Sequence, residues 1–272
     1  MRENIKEFSV ILTLYKTPKD KLKNLLNYKN FKLLVFDQEG NNSTEKYLKK
    51  KFTNNLQYFS FKKNIGLSKA SNFLFSKVKT NYFLFTQPDI IIKKSSIKKL
   101  FEIIKKEKNL IILSPNHNKI IYNKKQKKIN YVKKINFSCI LIDTKKMKKL
   151  GFFDEDFFLY WEDIYLEHKI NKSKFKMAIA NNIEVKHQAS QSSKENYITE
   201  YIRKKNYMYG EFLFDLKLNK LRFLKISRKI LQNFILFFFN LLIFRFNNSF
   251  DNFSKLNGII KFIIYLISRK KK

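Results

Sequence analysis

The 272-residue chain contains a single cysteine, Cys139, so no disulfide can form within it. Cys139 lies in the apolar run Phe137 to Ile142, where a thiol is expected to be a buried strand residue and not a nucleophile. A chain without disulfides suits a reducing cytoplasm. Arginine is sparse beside lysine, and specific readers of nucleic acid lean on arginine, so nucleic acid is not an expected partner. The opening residues, Met1 to Glu7, lack the apolar core of a signal peptide, which predicts a protein not exported by that route. The most apolar run, Ile230 to Phe244, has 15 residues. As a helix it is only ~22 Å long, against a bilayer core of ~30 Å, too short to span comfortably.

Acids are also few: 22 Asp and Glu against 57 Lys and Arg leave a formal charge of +35. Such a charge ordinarily points to an anionic surface. The lysines, however, are spread along the whole chain with heavy Asn, Ile and Phe usage, so part of the charge reads as compositional bias. Hydrophobic content of 44%, with 29 phenylalanines, excludes a disordered chain.

The pattern along the chain is strand alternating with helix. Phe8 to Leu14 is a short apolar run suited to a parallel strand covered on both faces. Thr17-Pro18-Lys19-Asp20 reads as an N-cap, a proline in the first helical position and an acid in the first turn. Phe31 to Phe36 is a second strand ending at Asp37. Further strands are expected at Leu56 to Phe61, Tyr82 to Phe85, Leu110 to Leu113, Phe137 to Ile142, Phe175 to Ala180 and Ile183 to Lys186. Between them come helices after Gly66, after a cap at Ser95 or Ser96, and over Thr144 to Leu150 with Gly151 as the stop. Lys119 to Lys134 reads as a hairpin or flap around a polar centre. The fold class is α/β, a Rossmann-like sheet that turns mixed in its second half. Ligands of such a sheet belong at the carboxyl ends of its strands, where Asp37 and Asp89 fall.

The scarce acids concentrate in one place. Gly151 to His168 holds Asp154, Glu155, Asp156, Glu162 and Asp163 around the only tryptophan, Trp161. Acids beside an aromatic wall suit holding a sugar by its face and hydroxyls while one carboxylate removes a proton. Partial burial raises the pKa of such a base towards working pH. Read alone, the same stretch is also an acidic loop with a capped helix favoured by the helix dipole. Asp37 and Asp89 alone are loop-end caps, Trp161 alone is core, and His117 and His168 receive no role.

Taken in order, Gly151-Phe152-Phe153-Asp154-Glu155-Asp156-Phe157-Phe158 continuing into Tyr160-Trp161-Glu162-Asp163, Asn64-x-Gly66 with Asn72, and His187 after the last core strand resemble the inverting family 2 glycosyltransferases of GT-A fold, in their rhamnosyltransferase-like branch. The resemblance covers about residues 8 to 210. It implies a donor site of Asp37, Asn64, Gly66, Asn72 and Gln87, and a divalent cation (Mg²⁺ or Mn²⁺) on Asp89 and His187. It further implies Asp163 as the base, with Glu162, Trp161 and Asp154 positioning the acceptor. The donor is then a nucleotide-diphosphate sugar, dTDP-L-rhamnose or a UDP-sugar, and the acceptor a growing polysaccharide or lipid-linked saccharide. Two departures stand out. Gln87-Pro88-Asp89 replaces the family's Asp-x-Asp or Asn-Pro-Asp, and Asp37 is followed by Gln-Glu-Gly. Two other readings are a nucleotidyltransferase of similar fold, whose glycine- and arginine-rich motif is missing after Leu14, and an inert module binding membrane or nucleic acid.

The expected division is residues 1–210 as the GT-A domain and 211–272 as a basic, apolar helical tail. Asn233, Asn240 and Asn247 recur every seven residues and draw a polar stripe on that tail. Basic flanks and apolar bulk predict a helix in the interface of an anionic membrane, hence a cytoplasmic protein peripheral to the inner face of the plasma membrane. The other seating for the tail is the domain itself or a second subunit of a homodimer.

Overall fold

The computed structural model describes residues 8–52, 54–117, 128–188, 192–193 and 195–270. The hairpin or flap expected between Lys119 and Lys134 falls largely outside them. The chain divides into two compact units, residues 1–153 with 166–194, and residues 154–165 with 195–272.

The first unit is built on an eight-stranded sheet. Strands β1 (Phe8–Leu14), β2 (Lys32–Asp37), β3 (Leu56–Phe59) and β4 (Tyr82–Thr86) run parallel in the order β3-β2-β1-β4. β1 and β2 carry almost unbroken runs of buried residues, as parallel strands covered on both faces require. β8 (Cys139–Asp143) then pairs antiparallel with β4 and with β6 (Leu110–Asn116), which lies parallel to β9 (Lys176–Glu184). Edge strand β7 (Ile129–Val132) closes the sheet antiparallel to β9. The sheet is thus parallel in its first half and mixed in its second. Two apolar clusters cover its faces. One includes Val10, Leu12, Leu33, Leu100 and Phe101; the other includes Ile11, Leu34, Phe83, Phe85 and Phe152. Cys139 is fully buried between strands, and burial pushes its thiol up to about 12, so it stays protonated.

Several local expectations need correction. Pro18, not Thr17, precedes the short helix α1 (Lys19–Leu22), and the Thr17 hydroxyl donates to the Ser192 carbonyl instead. The helix expected to be capped by Ser95 or Ser96 begins earlier, after Lys93. The two strands expected on either side of Ala180 form one continuous β9. It is followed by the two-residue β10 (Lys186–His187), antiparallel to β5 (Ile90–Ile91).

In the second unit, residues 154–165 group with three helices, α7 (Tyr197–Lys217), α8 (Phe223–Leu242) and α9 (Phe246–Lys270). The domain boundary expected at residue 210 therefore falls inside α7. α9 packs on both α7 and α8. Phe157, Met208, Tyr209, Phe212, Ile226, Ile259 and Phe262 form the apolar core. Among the described residues no helix is long and apolar enough to cross a membrane. Of the expected asparagine stripe, Asn233 and Asn240 are buried on α8, while Asn247 is exposed and belongs to α9.

Candidate active site

Strand order places the switch point of the sheet between β1 and β4, where successive connections leave in opposite directions, and ligands of open α/β sheets bind at such points. Asp37 ends β2, level with Leu14 at the end of β1. Its buried carboxylate accepts from the Glu39 and Asn41 backbone N–H groups at 3.0 and 3.2 Å, and from the Tyr58 hydroxyl at 2.5 Å. Burial and this carboxylate together push the Tyr58 hydroxyl well above its usual range, so it remains a donor. A carboxylate has about four acceptor positions, which leaves Asp37 about one for a ligand.

The neighbouring Gln38, which sequence reading passed over, positions the next element. Its buried side-chain oxygen accepts from the N–H groups of Ile65 and Gly66, both at 3.0 Å. Asn64 Oδ1 accepts from the same Gly66 N–H at 3.0 Å. Gly66 stands at φ +89° and ψ 159°, a region that essentially only glycine enters, and starts α3 (Leu67–Lys77). The signal for Gln38 was its place directly after a strand-ending acid.

Asn72, expected at the donor, is bonded to the backbone ahead of the acidic stretch. Its amide nitrogen donates to the Phe153 carbonyl at 2.8 Å and its oxygen accepts from the Phe153 N–H at 3.1 Å. This reciprocal pair fixes the backbone just before the acidic stretch begins.

Asp89 is buried in the turn between β4 and β5, with Gln87 half-buried beside it. The β5–β10 pairing sets His187 opposite Ile90, and His187 Nε2 lies 3.5 Å from Asp89 Oδ2. Sequence reading gave His117 no role, yet its ring meets that of His187 edge-on, with centroids 6.4 Å apart. Burial, opposed by a backbone hydrogen bond to Cys139, pulls His117 down to about 4, so it is neutral, and its Nε2 is buried without a hydrogen-bond partner. Among the described residues no group of three or more His, Cys, Asp or Glu could hold a metal ion. Asp89 and His187 supply one oxygen and one nitrogen, a donor set that fits a cation taking its other ligands from diphosphate and water.

Glu162 and Asp163 open α6 (Glu162–Asn171), directly after two residues in left-handed backbone, Tyr160 at φ 67° and Trp161 at φ 72°. Such residues cost roughly 1–3 kcal/mol each unless the surroundings hold them. Here α7 does so: the Trp161 indole donates to the Tyr207 carbonyl at 3.0 Å and packs on Tyr207 and Phe214. Gly210 makes that approach feasible, since a Cβ there would stand 2.6 Å from Trp161 Cδ1. Asp154 and Asp156 both pair with Lys217 of the same helix, at 2.8 and 2.7 Å.

The two acids at the helix start differ electrostatically. Burial, reinforced by the charge of Asp163, pushes Glu162 up to about 8, and its Oε2 has no hydrogen-bond partner. Burial also raises Asp163, but hydrogen bonds from the Ile164 and Asp163 N–H groups oppose the rise. One acid is thus kept largely neutral, while the rise of its neighbour is opposed by two backbone N–H groups. Two acids held apart in this way suit separate roles as hydrogen-bond donor and proton acceptor.

The profile described as Glycosyl transferase family 2 matches residues 9–168, more than half of the chain. Among solved structures, a mannosyltransferase from Pyrobaculum calidifontis, in complex with GDP-Man and Mn²⁺, superposes with a TM-score of 0.57 at 10% identity, covering 78% of this chain and 64% of that one. This chain therefore spans less than two thirds of that protein. Residues 1–349 of S. aureus TarS superpose with a TM-score of 0.54 at 15% identity, covering 94% of this chain and 91% of that one. The same fragment in complex with UDP gives 0.53 at 13% identity, with the same coverage. At such identities the likeness is one of fold. No curated protein matches the chain.

Proposed function

This chain belongs to glycosyl transferase family 2 and is a glycosyltransferase, and from that premise we propose that it moves a sugar from a nucleotide-diphosphate donor onto a saccharide hydroxyl with inversion. Asp37 accepts one hydrogen bond from the base or ribose of the donor. The Asn64–Gly66 turn and Gln87 line the diphosphate. Asp89 and His187 would hold a divalent cation, Mg²⁺ or Mn²⁺. When bound, such a cation neutralises the charge that develops on the leaving diphosphate. Asp163 removes the proton of the acceptor hydroxyl as the new bond forms. Glu162, neutral at pH 7, donates a hydrogen bond that orients the acceptor, and Trp161 and Asp154 support it. A single displacement inverts the anomeric carbon and needs no enzyme nucleophile.

The sugar we assign is L-rhamnose from dTDP-L-rhamnose, on the rhamnosyltransferase-like run Gly151 to Asp163, with UDP-sugars as the competing class. The neighbouring structures that hold GDP-Man with Mn²⁺ and UDP support a nucleotide donor and a cation. The acceptor we assign is a polysaccharide or lipid-linked glycan, reached at the inner, anionic face of a membrane.

The observation that carries this reading is the pair opening α6, a largely neutral glutamic acid next to a carboxylate whose basicity burial has raised. The test is turnover on a panel of nucleotide sugars, with and without Mg²⁺ or Mn²⁺, for the wild type and Asp163→Asn. A positioned base is worth ~10²–10⁴-fold, so the substitution should lower kcat by at least about 10²-fold with little change in donor KM. Unchanged turnover would remove Asp163 from the mechanism.

A further inference from the structure

α8 is amphipathic in the reverse of the usual sense. In a water-soluble helix pair the apolar residues meet and the polar ones face out. Of the residues of α8, the buried ones are Ile226, Asn233 and Asn240. Its phenylalanines and leucines point away: Leu231 is 60% exposed, Phe234 52%, Phe239 53% and Leu242 77%.

The inward polar groups are satisfied without water. Asn233 donates to the Lys229 carbonyl at 2.8 Å and Asn240 to the Leu236 carbonyl at 2.7 Å. On α9, Asn252 donates to the Asn248 carbonyl at 2.8 Å, and Ser249 crosses to the Phe237 carbonyl of α8 at 3.0 Å. The seam between the helices thus carries internally bonded polar groups, while from Leu231 to Leu242 the exposed side chains of α8 are apolar apart from Gln232. Monomers in water rarely expose so large a contiguous apolar patch. In lipid the arrangement is stable, because polar groups there must be satisfied from within.

Charge distinguishes between the candidate occupants. Arg222, Arg228 and Lys229 lie at one end of α8 and Arg245 just past the other, while Lys225 is held by Glu211 and Asp215 at 2.7 Å. From residue 216 onward the one acid is Asp251, and it is paired with Lys204 at 2.5 Å. Two copies of so basic a surface would repel, whereas anionic headgroups would complement it. Arg245 also excludes insertion tip-first, which would carry its charge deepest into hydrocarbon. With α8 lying flat, the cations at both ends reach the headgroups.

We propose that α8 lies lengthwise in the headgroup–acyl boundary of an anionic bilayer, embedded by its outer apolar face, with the asparagine seam turned inward to α9. This deepens, and rests on, the reading of a membrane-borne acceptor. The test uses the full chain and flotation with vesicles of phosphatidylcholine alone or containing phosphatidylglycerol, and donor hydrolysis is measured separately. The wild type should float with the anionic vesicles only. Phe234→Glu with Phe238→Glu, at exposed positions that leave circular dichroism and melting unchanged, should weaken flotation by about tenfold or more. Asn233→Leu with Asn240→Leu, inside the seam, should keep it. Flotation of the outer-face variant at wild-type level would overturn the proposal. So would a wild type that ignores vesicles and forms a dimer, by light scattering, that the outer-face variant breaks. Donor hydrolysis lost while flotation persists would count against the catalytic assignment alone.

Discussion

Exchanging Glu162 for glutamine removes a titrating group and leaves its shape. In the folded protein this carboxyl is 4% exposed and titrates at about 8 instead of 4.5. A group raised in the folded state contributes its full stability below the unfolded value and loses it as pH climbs towards the folded one. The wild type therefore loses stability between about pH 4.5 and pH 8, while Glu162→Gln does not. At 1.36 kcal/mol per pH unit the difference is at most about 5 kcal/mol, and relaxation around a buried charge reduces it to ~2 kcal/mol or more. For domains of this size 1 kcal/mol moves Tm by about 2–4 °C, so the variant should melt at least about 4 °C above the wild type at pH 9. At pH 4.5 the two should coincide. Differential scanning fluorimetry across that range checks it. A gap between the two proteins that is flat with pH would refute the reasoning about burial. The same variant also separates the roles of the two acids. At pH 7 roughly one Glu162 in ten is ionised, too few for the working base. Because glutamine can still donate a hydrogen bond, Glu162→Gln should lower kcat less than about tenfold, well short of Asp163→Asn. The reverse order would make Glu162 the base.

Two further substitutions probe the supports of the site. Gly210→Ala sets a Cβ 2.6 Å from the Trp161 ring, so the indole must move, at a cost of about 1–3 kcal/mol. Because Trp161 is the only tryptophan, its emission maximum reports the shift directly, and an unchanged spectrum and Tm would show that the contact is slack. Asp89→Asn keeps the shape and removes the charge. The Mn²⁺ concentration for half-maximal donor hydrolysis should rise about tenfold or more, and an unmoved half-saturation point would dismiss Asp89 as a ligand.

The sequence made the sheet legible because parallel strands buried on both faces leave short, almost continuous apolar runs, and Phe8 to Leu14 matches β1 to the residue. Gly151 was legible as a helix stop because it takes a backbone angle, φ 78°, that other residues avoid. The errors have equally local causes. Thr17 has the chemistry of a cap, but its hydroxyl finds a carbonyl 175 residues away in sequence. β9 was split in expectation by the polar pair Asn181-Asn182, although Asn181 is buried within one continuous strand. Asn72 belongs to a recognisable pattern, yet its partner Phe153 lies 81 residues on, beyond any local signal. Gln38 and His117 carry no motif at all and became visible only through their neighbours. In the tail, the seven-residue spacing holds for Asn233 and Asn240, which share a buried face of α8, while Asn247 falls on the next helix. Spacing is silent about which face turns inward.

One consequence follows from Lys217, which bonds Asp154 and Asp156 at 2.8 and 2.7 Å, and from Tyr265, whose hydroxyl donates to Asp156 at 3.0 Å. The terminal helices are not a handle that can be cut off to leave a complete enzyme behind. Truncation before Lys217 would leave two neighbouring carboxylates without their shared counter-ion and the apolar core around Phe157 without Ile226, Ile259 and Phe262. Any exchange of this region between relatives has to move residues 154–165 and 195–272 as a single cassette.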